Sequence, residues 1–356
     1  MSTLRLATFN VENLFDRPKL LNMHDQAQGD AALADLRALQ TELRRAQYDK
    51  PKIIQLYKGL KRYVDVVEIR GKKLFNKSAT KVVANGLSDW DGWLTLKRDE
   101  IWPEARANTG KVVADVNADA QCIVEADNRP LLQRFNDQEI PKAKRFPFNM
   151  LIDGNDDRGI DVGILSRLPI RELRSHIKDE DSGGTIFSRD CLEVRLELSN
   201  QRQLWMLLNH FKSKGYSGPS QGNQKRLRQA TQVAKILGER FNLATDLVVV
   251  CGDLNDTPDS ASLAPLLGVP NLFDVLALQF PNAADRWSYH YKKNEQIDYL
   301  LVSKPLRDAF VQAGLERQGM FGVDKFSGGT IAPYPQVTSA TVSASDHGAV
   351  WADFNL

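Results

Sequence analysis

The stretch Leu247-Val248-Val249-Val250-Cys251-Gly252-Asp253-Leu254-Asn255-Asp256-Thr257-Pro258 joins two kinds of text. Its first five residues are all apolar and mostly β-branched. Such a run is too short for a helix and reads as a strand buried on both faces. The Asx-rich residues that follow read as a turn. Polar side chains at the end of a buried strand stand at the edge of a sheet, where neighbouring strands can bring theirs to the same point.

Other strand-like segments end the same way. Thr3–Phe9 alternates like a half-buried strand, with Asn10 and Glu12 at its exit. Ala120–Val124 is apolar and ends at Glu125, and Gln203–Leu208 ends at Asn209-His210. Ile297–Val302 holds Asp298 inside an apolar run, where an acid is costly unless paired. Asp346-His347 precedes the closing strand Ala349–Phe354. Residues 160–165 and Cys191–Leu198 add two more strands, the second with Leu192, Val194, Leu196 and Leu198 on one face. Helices are predicted over 29–47, 105–117 and 223–241, the last carrying Leu227, Ala230, Ala234, Leu237 and Phe241 as one stripe. Many strands and few helices argue for sheets packed on each other and covered outside by helices.

The chain has 356 residues, 42% hydrophobic and 26% charged, which excludes wholesale disorder, collagen and a disulfide mini-scaffold. No apolar run is long enough to span a bilayer. Asn10 and Glu12 fall where a secretory leader needs apolar residues, so a cytoplasmic location is expected. Cys122, Cys191 and Cys251 sit in apolar strand text and read as buried free thiols. The net charge of +2 says nothing about partners, but its distribution is uneven. Residues 44–77 hold eleven Lys/Arg against three Asp/Glu, and 209–228 holds Lys212, Lys214, Lys225, Arg226 and Arg228 without an acid. Residues 17–105 are too long for a plain loop and read as an insertion within one domain spanning 1–356.

Carboxylates and amide oxygens gathered at strand ends make an all-oxygen set, suited to Mg²⁺ or Mn²⁺ rather than Zn²⁺. A histidine beside them can move a proton near neutral pH. The residues alone therefore suggest metal-assisted attack of water on a phosphate ester. Each piece taken singly has a plainer reading: Glu125 as a solvated charge, the 252–258 segment as a turn, and His24, His176 and His290 as surface residues.

Thr8-Phe9-Asn10-Val11-Glu12-Asn13-Leu14-Phe15, Glu125, Asn209-His210-Phe211-Lys212-Ser213-Lys214, Gly252-Asp253-Leu254-Asn255, Ile297-Asp298-Tyr299 and Ser345-Asp346-His347 stand in the order typical of one superfamily. The sequence resembles the endonuclease/exonuclease/phosphatase superfamily over residues 3–15 and about 106–356. Its Phe-Asn-Val-Glu-Asn-Leu-Phe opening is similar to a bacterial nuclease-like branch. The resemblance implies the DNase I-like four-layer α/β sandwich, two packed mixed sheets flanked by helices, with a long insertion after the first strand.

It also implies roles. Glu125 is the principal ligand of a Mg²⁺ or Mn²⁺ ion, with Asn10, Glu12 and Asp346 beside it. Asp253 positions or deprotonates the water or serves the leaving group, and Asn255 holds the phosphate. His347 is the catalytic histidine, as base or as donor to a phosphoryl oxygen, and Asp298 orients it. His210 faces the phosphate or the leaving group. Arg158 and Asp161, in the loosely aligned segment Asp157-Arg158-Gly159-Ile160-Asp161, contact the phosphate and support the site. Val124 stands where the family usually has Gln, and Gln296 where Arg or another polar residue is common.

For substrate, the basic 209–228 stretch, with Asn209, Lys212, Lys214, Lys225 and Arg226, is expected along the rim of the site. The 44–77 block extends it, as a surface that binds nucleic-acid phosphates through counterion release. Trp287, Tyr289 and Tyr291 alternate and offer a stacking face. A Lys/Arg-rich helix also reads as a solvated face, and alternating aromatics as core. The second reading is a phosphatase or phosphodiesterase acting on a phosphoinositide, a sphingomyelin-like ester or a nucleotide. A stable membrane association is not expected, Trp90 and Trp93 being the sole candidates for a lipid-seeking loop. The third is a binder that keeps the fold without turnover.

Overall fold

In the computed structural model, residues 3–21, 26–68, 71–100, 103–156, 158–199, 201–214 and 219–356 are described. The chain divides into two compact units, Met1–Phe15 with Trp102–Leu356, and Asp16–Ile101.

The larger unit runs β1 (Thr3–Leu14), α1 (Pro103–Val116), β2 (Ala120–Ala126), α2 (Arg129–Gln138), β3 (Phe148–Ile152) and β4 (Asp161–Ser166). It continues through β5 (Ile170–Arg174), β6 (Cys191–Glu197), β7 (Gln203–His210), α3 (Pro219–Arg240) and β8 (Leu247–Asp253). It ends with β9 (Leu272–Asp274), β10 (Asp298–Ser303), β11 (Phe310–Glu316) and β12 (Ala349–Asn355). Two six-stranded sheets result, in the orders β11-β12-β1-β2-β4-β3 and β9-β10-β8-β7-β6-β5. Both are mixed: β1 with β2 and β7 with β8 are parallel, and their other pairs are antiparallel.

Period-two alternation assigns the faces. Leu4 and Leu6 of β1, Cys122 and Val124 of β2, Met206 and Leu208 of β7, Val249 and Cys251 of β8 and Leu300 and Val302 of β10 share one core between the sheets. The opposite face of the first sheet carries Ala7, Phe9 and Ile123 and packs on Val112, Val113 and Val116 of α1 and Leu131, Leu132 and Phe135 of α2. The opposite face of the second carries Leu207, Val248, Val250 and Leu301 and packs on Ala230, Val233, Ile236 and Leu237 of α3. Helix, sheet, sheet, helix is the four-layer α/β sandwich. The run 247–251 is buried on both faces because it lies in the middle of this stack.

Helix α2 follows a standard start: the Asn128 side chain accepts from the Leu131 amide at 2.9 Å, and Pro130 occupies the first turn. It was not apparent from periodicity, nor were β3, β5, β9 and β11. The stripe on α3 is Ala230, Val233, Ile236 and Leu237, and Leu227 is exposed at 40%.

Residues 16–101 form their own core. Helices Gln26–Leu43 and Lys50–Leu60 and the hairpin Val64–Glu68 with Gly92–Leu96 bring together Leu39, Leu43, Ile53, Leu60 and Val64. Trp90 belongs to this core, whereas Trp93 is 52% exposed. No helix among the described residues is long and apolar enough to cross a membrane. All three cysteines are buried and unpaired.

Candidate active site

Alternation carries four polar residues into the space between the sheets. Asn10 follows Leu4 and Leu6, His210 follows Met206 and Leu208, Asp253 follows Val249 and Cys251, and Asp298 precedes Leu300 and Val302, so each keeps the parity of the inner face. Register completes the row. His210 lies opposite Asp253, and Asp253 opposite Asp298, across adjacent strands of the second sheet. The Asn10 amide donates to Asp253 Oδ2 at 3.2 Å, joining the first sheet to the row.

Glu12 and Glu125 reach the same place by breaking the alternation. The β1–β2 ladder shifts register between Asn10 and Leu14, and the β2–β4 ladder between Val124 and Ala126. At these bulges Glu12 has φ 49° and Glu125 φ 69°, left-handed values unusual for residues other than glycine. Asn255 has φ 55° in the turn after β8. Strain of this kind persists where surrounding structure holds it and clusters at functional sites.

The resulting cleft, about 760 Å³, is lined by Glu12, Glu125, His210, Asp253, Asp346 and His347, with Asn255, Ser213, Lys214, Tyr289, Tyr291, Lys292, Lys293, Glu295 and Ile297 around them. Two groupings stand out. In the first, His347 Nδ1 pairs with Asp298 Oδ2 at 2.8 Å, and Asp298 Oδ2 also accepts from the Ser288 hydroxyl at 2.7 Å. The Ser345 hydroxyl accepts from the His347 amide at 3.0 Å and donates to the Asn10 carbonyl at 2.7 Å, fixing the residue's backbone. His347 Nε2 points toward Asp346, 3.6 Å away. Burial opposes a charged imidazole here, but Asp298, Asp346 and Asp253 outweigh it and hold His347 protonated well above the usual histidine range. Asp253 accepts from the Asn255 amide at 2.8 Å and its side chain at 3.0 Å; burial first, then Asp298, pushes its carboxyl up to about 7.

The second grouping is Glu12, Glu125 and Asp346. The Asp346 amide donates to Glu12 at 2.9 Å. Burial, then Asp346 and Glu125, pushes Glu12 up to about 7. Burial and then Asp346 push Glu125 up, while a hydrogen bond from Asn10 lowers it. Glu12 and Glu125, both raised with Asp346 beside them, are relieved by a cation bound among the three. The donors are hard oxygens, so the set fits Mg²⁺ or Mn²⁺. Asp253, Asp298 and His347 also bring ligand-type atoms within 4.8 Å of one another, two of them already joined by the His347–Asp298 hydrogen bond.

His210 is 1% exposed, with Nε2 at 3.6 Å from Glu125 and 3.7 Å from Asp253. Burial and then Arg189 hold it neutral, well below the usual value. Its Nδ1 has no hydrogen-bond partner among the described residues.

Other expected residues are placed elsewhere. Asn209 has the opposite parity from His210, lies with Leu207 on the outer face under α3, and donates to the Leu207 carbonyl at 2.9 Å. Arg226 is off the rim: it is 2% exposed and donates to Asp256 at 2.9 Å, the Lys212 carbonyl at 2.8 Å and Asn223 at 2.5 Å. Lys225 donates to the Thr185 carbonyl. Asp161 accepts from the Gly154 amide at 2.7 Å and closes its own loop, with burial raising its carboxyl to about 6. Arg158 grips Asp156 through two nitrogens, at 2.9 and 2.8 Å, and holds that carboxyl at about 2. Asp157 and His24 lie outside the described residues. Of the basic run, Lys214 lines the cleft, 3.2 Å from Glu295. Lys212, partly buried, is lowered by burial and then by Arg189 and Arg158.

Ser288 and Arg189 were not singled out in the sequence, and Ser345 entered only as part of its motif. The serines carry no signal apart from the residues they brace. Arg189 is 1% exposed, 3.1 Å from Asp156, and its charge bears on Glu125 and Asp253. His176 is part-buried and ion-paired, 2.9 Å from Asp179 and 2.7 Å from Glu193, rather than free at the surface.

A model of the Endonuclease/Exonuclease/phosphatase family matches residues 87–347. No curated protein matches the chain by sequence. Among solved structures, an endonuclease/exonuclease/phosphatase family protein from Bacteroides thetaiotaomicron aligns with 100% of this chain and 96% of its own, at 15% identity and TM-score 0.52. A humanized D. rerio TDP2 aligns with 71% of this chain and 92% of its own, at 17% identity and TM-score 0.50. At these identities the likeness is one of fold, and it is the fold described above.

Proposed function

The chain belongs to the endonuclease/exonuclease/phosphatase family, whose members hydrolyse phosphoesters, and from that premise we propose that it is a Mg²⁺- or Mn²⁺-dependent nuclease. The observation that carries the hydrolytic part is geometric: His347, oriented through Nδ1 by Asp298, and buried Asp253, held by the Asn10 and Asn255 amides, line one cleft. A carboxylate placed to take a proton and an imidazole placed to give one, beside one cleft, are what acid–base hydrolysis needs.

Glu125, with Asn10, Glu12 and Asp346, would hold the cation. When bound there, the ion supplies positive charge to a phosphoryl oxygen. Asp253 accepts a proton from the attacking water, and the Asn10 and Asn255 amides keep its carboxylate aimed. His347, oriented through Nδ1 by Asp298, presents its Nε2 proton to the oxygen on which charge develops. Neutral His210 and Asn255 bound the phosphate on the other side. Asp161 and Asn209 act through the loops and strands they fix.

The polymer part rests on charge. Lys214 lines the cleft, and Lys292 and Lys293 stand beside it. Residues 16–101 carry exposed lysines of their own, among them Lys58, Lys61, Lys73 and Lys77. A surface of this kind binds phosphate backbones.

The test is a cleavage panel with Mg²⁺ or Mn²⁺: supercoiled plasmid, linear duplex, single-stranded DNA, RNA, phosphoinositides, sphingomyelin and nucleotides. Each is run with the native protein and Asp253→Ala prepared identically. Polymer cleavage that disappears in the variant supports the nuclease reading. Phosphate release from a small ester with polymers intact moves it to a phosphatase.

A further inference from the structure

Trp287, Tyr289 and Tyr291 alternate in the chain, yet they meet three environments. Trp287 is 5% exposed, in a small core with Met320 and Val323. Tyr289 is half-buried, its ring 4.8 Å from the His347 ring and its backbone bridged to that residue. Tyr291 is 72% exposed, more than the other large apolar or aromatic side chains found exposed among the described residues. It sits at the turn of a two-stranded hairpin in which Tyr289 pairs with Glu295 and His290 with Asn294.

That hairpin is braced at its base. Ser288 ties one end to Asp298, and the Gly348 amide donates to the Ser288 carbonyl at 2.6 Å. The His290 ring stacks on Phe326 with centroids 3.6 Å apart and planes 13° apart, and the Asn294 amide donates to the Phe326 carbonyl at 3.0 Å. The tip is therefore a fixed projection. It carries Tyr291, Lys292 and Lys293 into the wall of the same cleft that Glu125, Asp253 and His347 line. The Lys292 ammonium lies 5.5 Å from the centre of the Tyr291 ring, and Lys293, with a side chain 76% exposed, lies 3.3 Å from Glu295. Glu295 also holds Lys214 and is the acid at the hairpin's base.

An exposed aromatic ring on a braced hairpin, next to ammonium groups and at the mouth of a phosphate-hydrolysing cleft, has the parts of a nucleotide clamp. Rings stack on any base, and ammonium groups take its phosphates. A base paired and stacked in a duplex has no free face to offer, so the ring selects for an unpaired one. The tip has a single aromatic between His290 and two lysines, without the contiguous apolar patch a lipid surface needs. Resting on the nucleic-acid reading above, we propose that the 289–295 hairpin is a base-stacking finger. Tyr291 stacks on an unpaired nucleobase beside the scissile phosphate, Lys292 and Lys293 meet the flanking phosphates, and the enzyme is directed to single-stranded or frayed strands.

The test uses the full chain with Mg²⁺, a fluorescein-labelled single-stranded 15-mer, the matching duplex, and a 15-mer with an abasic residue beside the cleavage site. The variants are Tyr291→Ala, Tyr291→Trp and Lys292→Ala/Lys293→Ala. In Tyr291→Ala the KM for the single strand rises about 5- to 150-fold, the range for losing one base–aromatic stack, with kcat within about twofold. Tyr291→Trp restores KM, the penalty shrinks to within about twofold on the abasic strand, and the native preference for single strand over duplex narrows. The lysine pair raises KM on both single strands and weakens its dependence on salt.

A Tyr291→Ala variant with native KM, an equal penalty on the abasic strand, or a loss that Trp does not restore overturns the finger while leaving the nuclease intact. Native protein that cleaves no polymer overturns the nuclease reading and the finger with it. Hydrolysis of sphingomyelin vesicles that depends on Tyr291, with polymers untouched, does the same and assigns the tip to a membrane.

Discussion

Gly252 has no room for a side chain. A Cβ there would lie 1.8 Å from the Asn209 carbonyl oxygen, and its φ of 126° disfavours any L side chain. The close approach brings β8 against β7 one residue before Asp253, and so sets His210 beside Asp253. Backbone strain and a backbone clash add, so Gly252→Ala is expected to destabilise the protein by roughly 2–5 kcal/mol. Urea unfolding measures this, and an unchanged midpoint would refute the packing described. At this scale much of the site was legible. The parity that sends Leu208 and Cys251 inward sends His210 and Asp253 inward too, and the same parity turns Asn209 away. Glu12 and Glu125 could not be placed by parity, because each lies at a bulge, and nothing in Val11-Glu12-Asn13 or Val124-Glu125-Ala126 announces a left-handed residue. Arg226 misled for another reason: in sequence, a cation that latches a helix looks like one that meets a ligand, and only its partners separate the two.

Helix α3 is held to the second sheet by charge as well as by its apolar stripe. His176 bridges Asp179 and Glu193, Arg240 of α3 reaches Glu193 at 2.8 Å, and Gln232 of α3 reaches Asp179 at 2.6 Å. Burial works against a charged His176, but Glu193 and Asp179 prevail and raise its folded value above the ordinary one. A histidine raised on folding contributes stability that is complete below its unfolded value, about 6.5, and is lost as pH rises through its folded value. The native protein should therefore lose melting temperature relative to His176→Gln as pH climbs from about 6 upward. Parallel melting curves for the two proteins across that window would show that the bridge carries no charge. This network could not be seen in advance, since its members lie on β6, on α3 and in the 175–190 connection. Elements with strong periodicity, such as α3, were legible, whereas the short β5 and β9 and the loosely alternating β11 were not. Their pattern is set by neighbours in the sheet rather than by their own few residues.

For the molecule as a whole, the four-layer sandwich follows from strands that are apolar on both faces with helices outside them, and polar strand ends locate the site. Substrate choice is written less plainly, because the basic residues are spread over two units and many are tied to acids, as Lys52 is to Glu42. Neutralising the exposed Lys58, Lys61, Lys73 and Lys77 together should lower the slope of log binding constant against log salt by about 0.7–0.9 for each phosphate that the protein no longer neutralises. A slope equal to that of the native protein would show that these lysines do not meet the polymer. The central claim is that hydrolysis occurs where Asp253, His347 and the Glu125 carboxylate meet. Its most direct measurement is the single-turnover rate of cleavage of one defined phosphodiester oligonucleotide by native protein and by Asp253→Asn, each with Mg²⁺ and with EDTA. The expected result is cleavage by the native protein with Mg²⁺, none with EDTA, and a rate at least about 100-fold lower in Asp253→Asn, the low end for losing a catalytic acid or base. Cleavage by Asp253→Asn at the native rate, or cleavage by the native protein that survives EDTA, would contradict it.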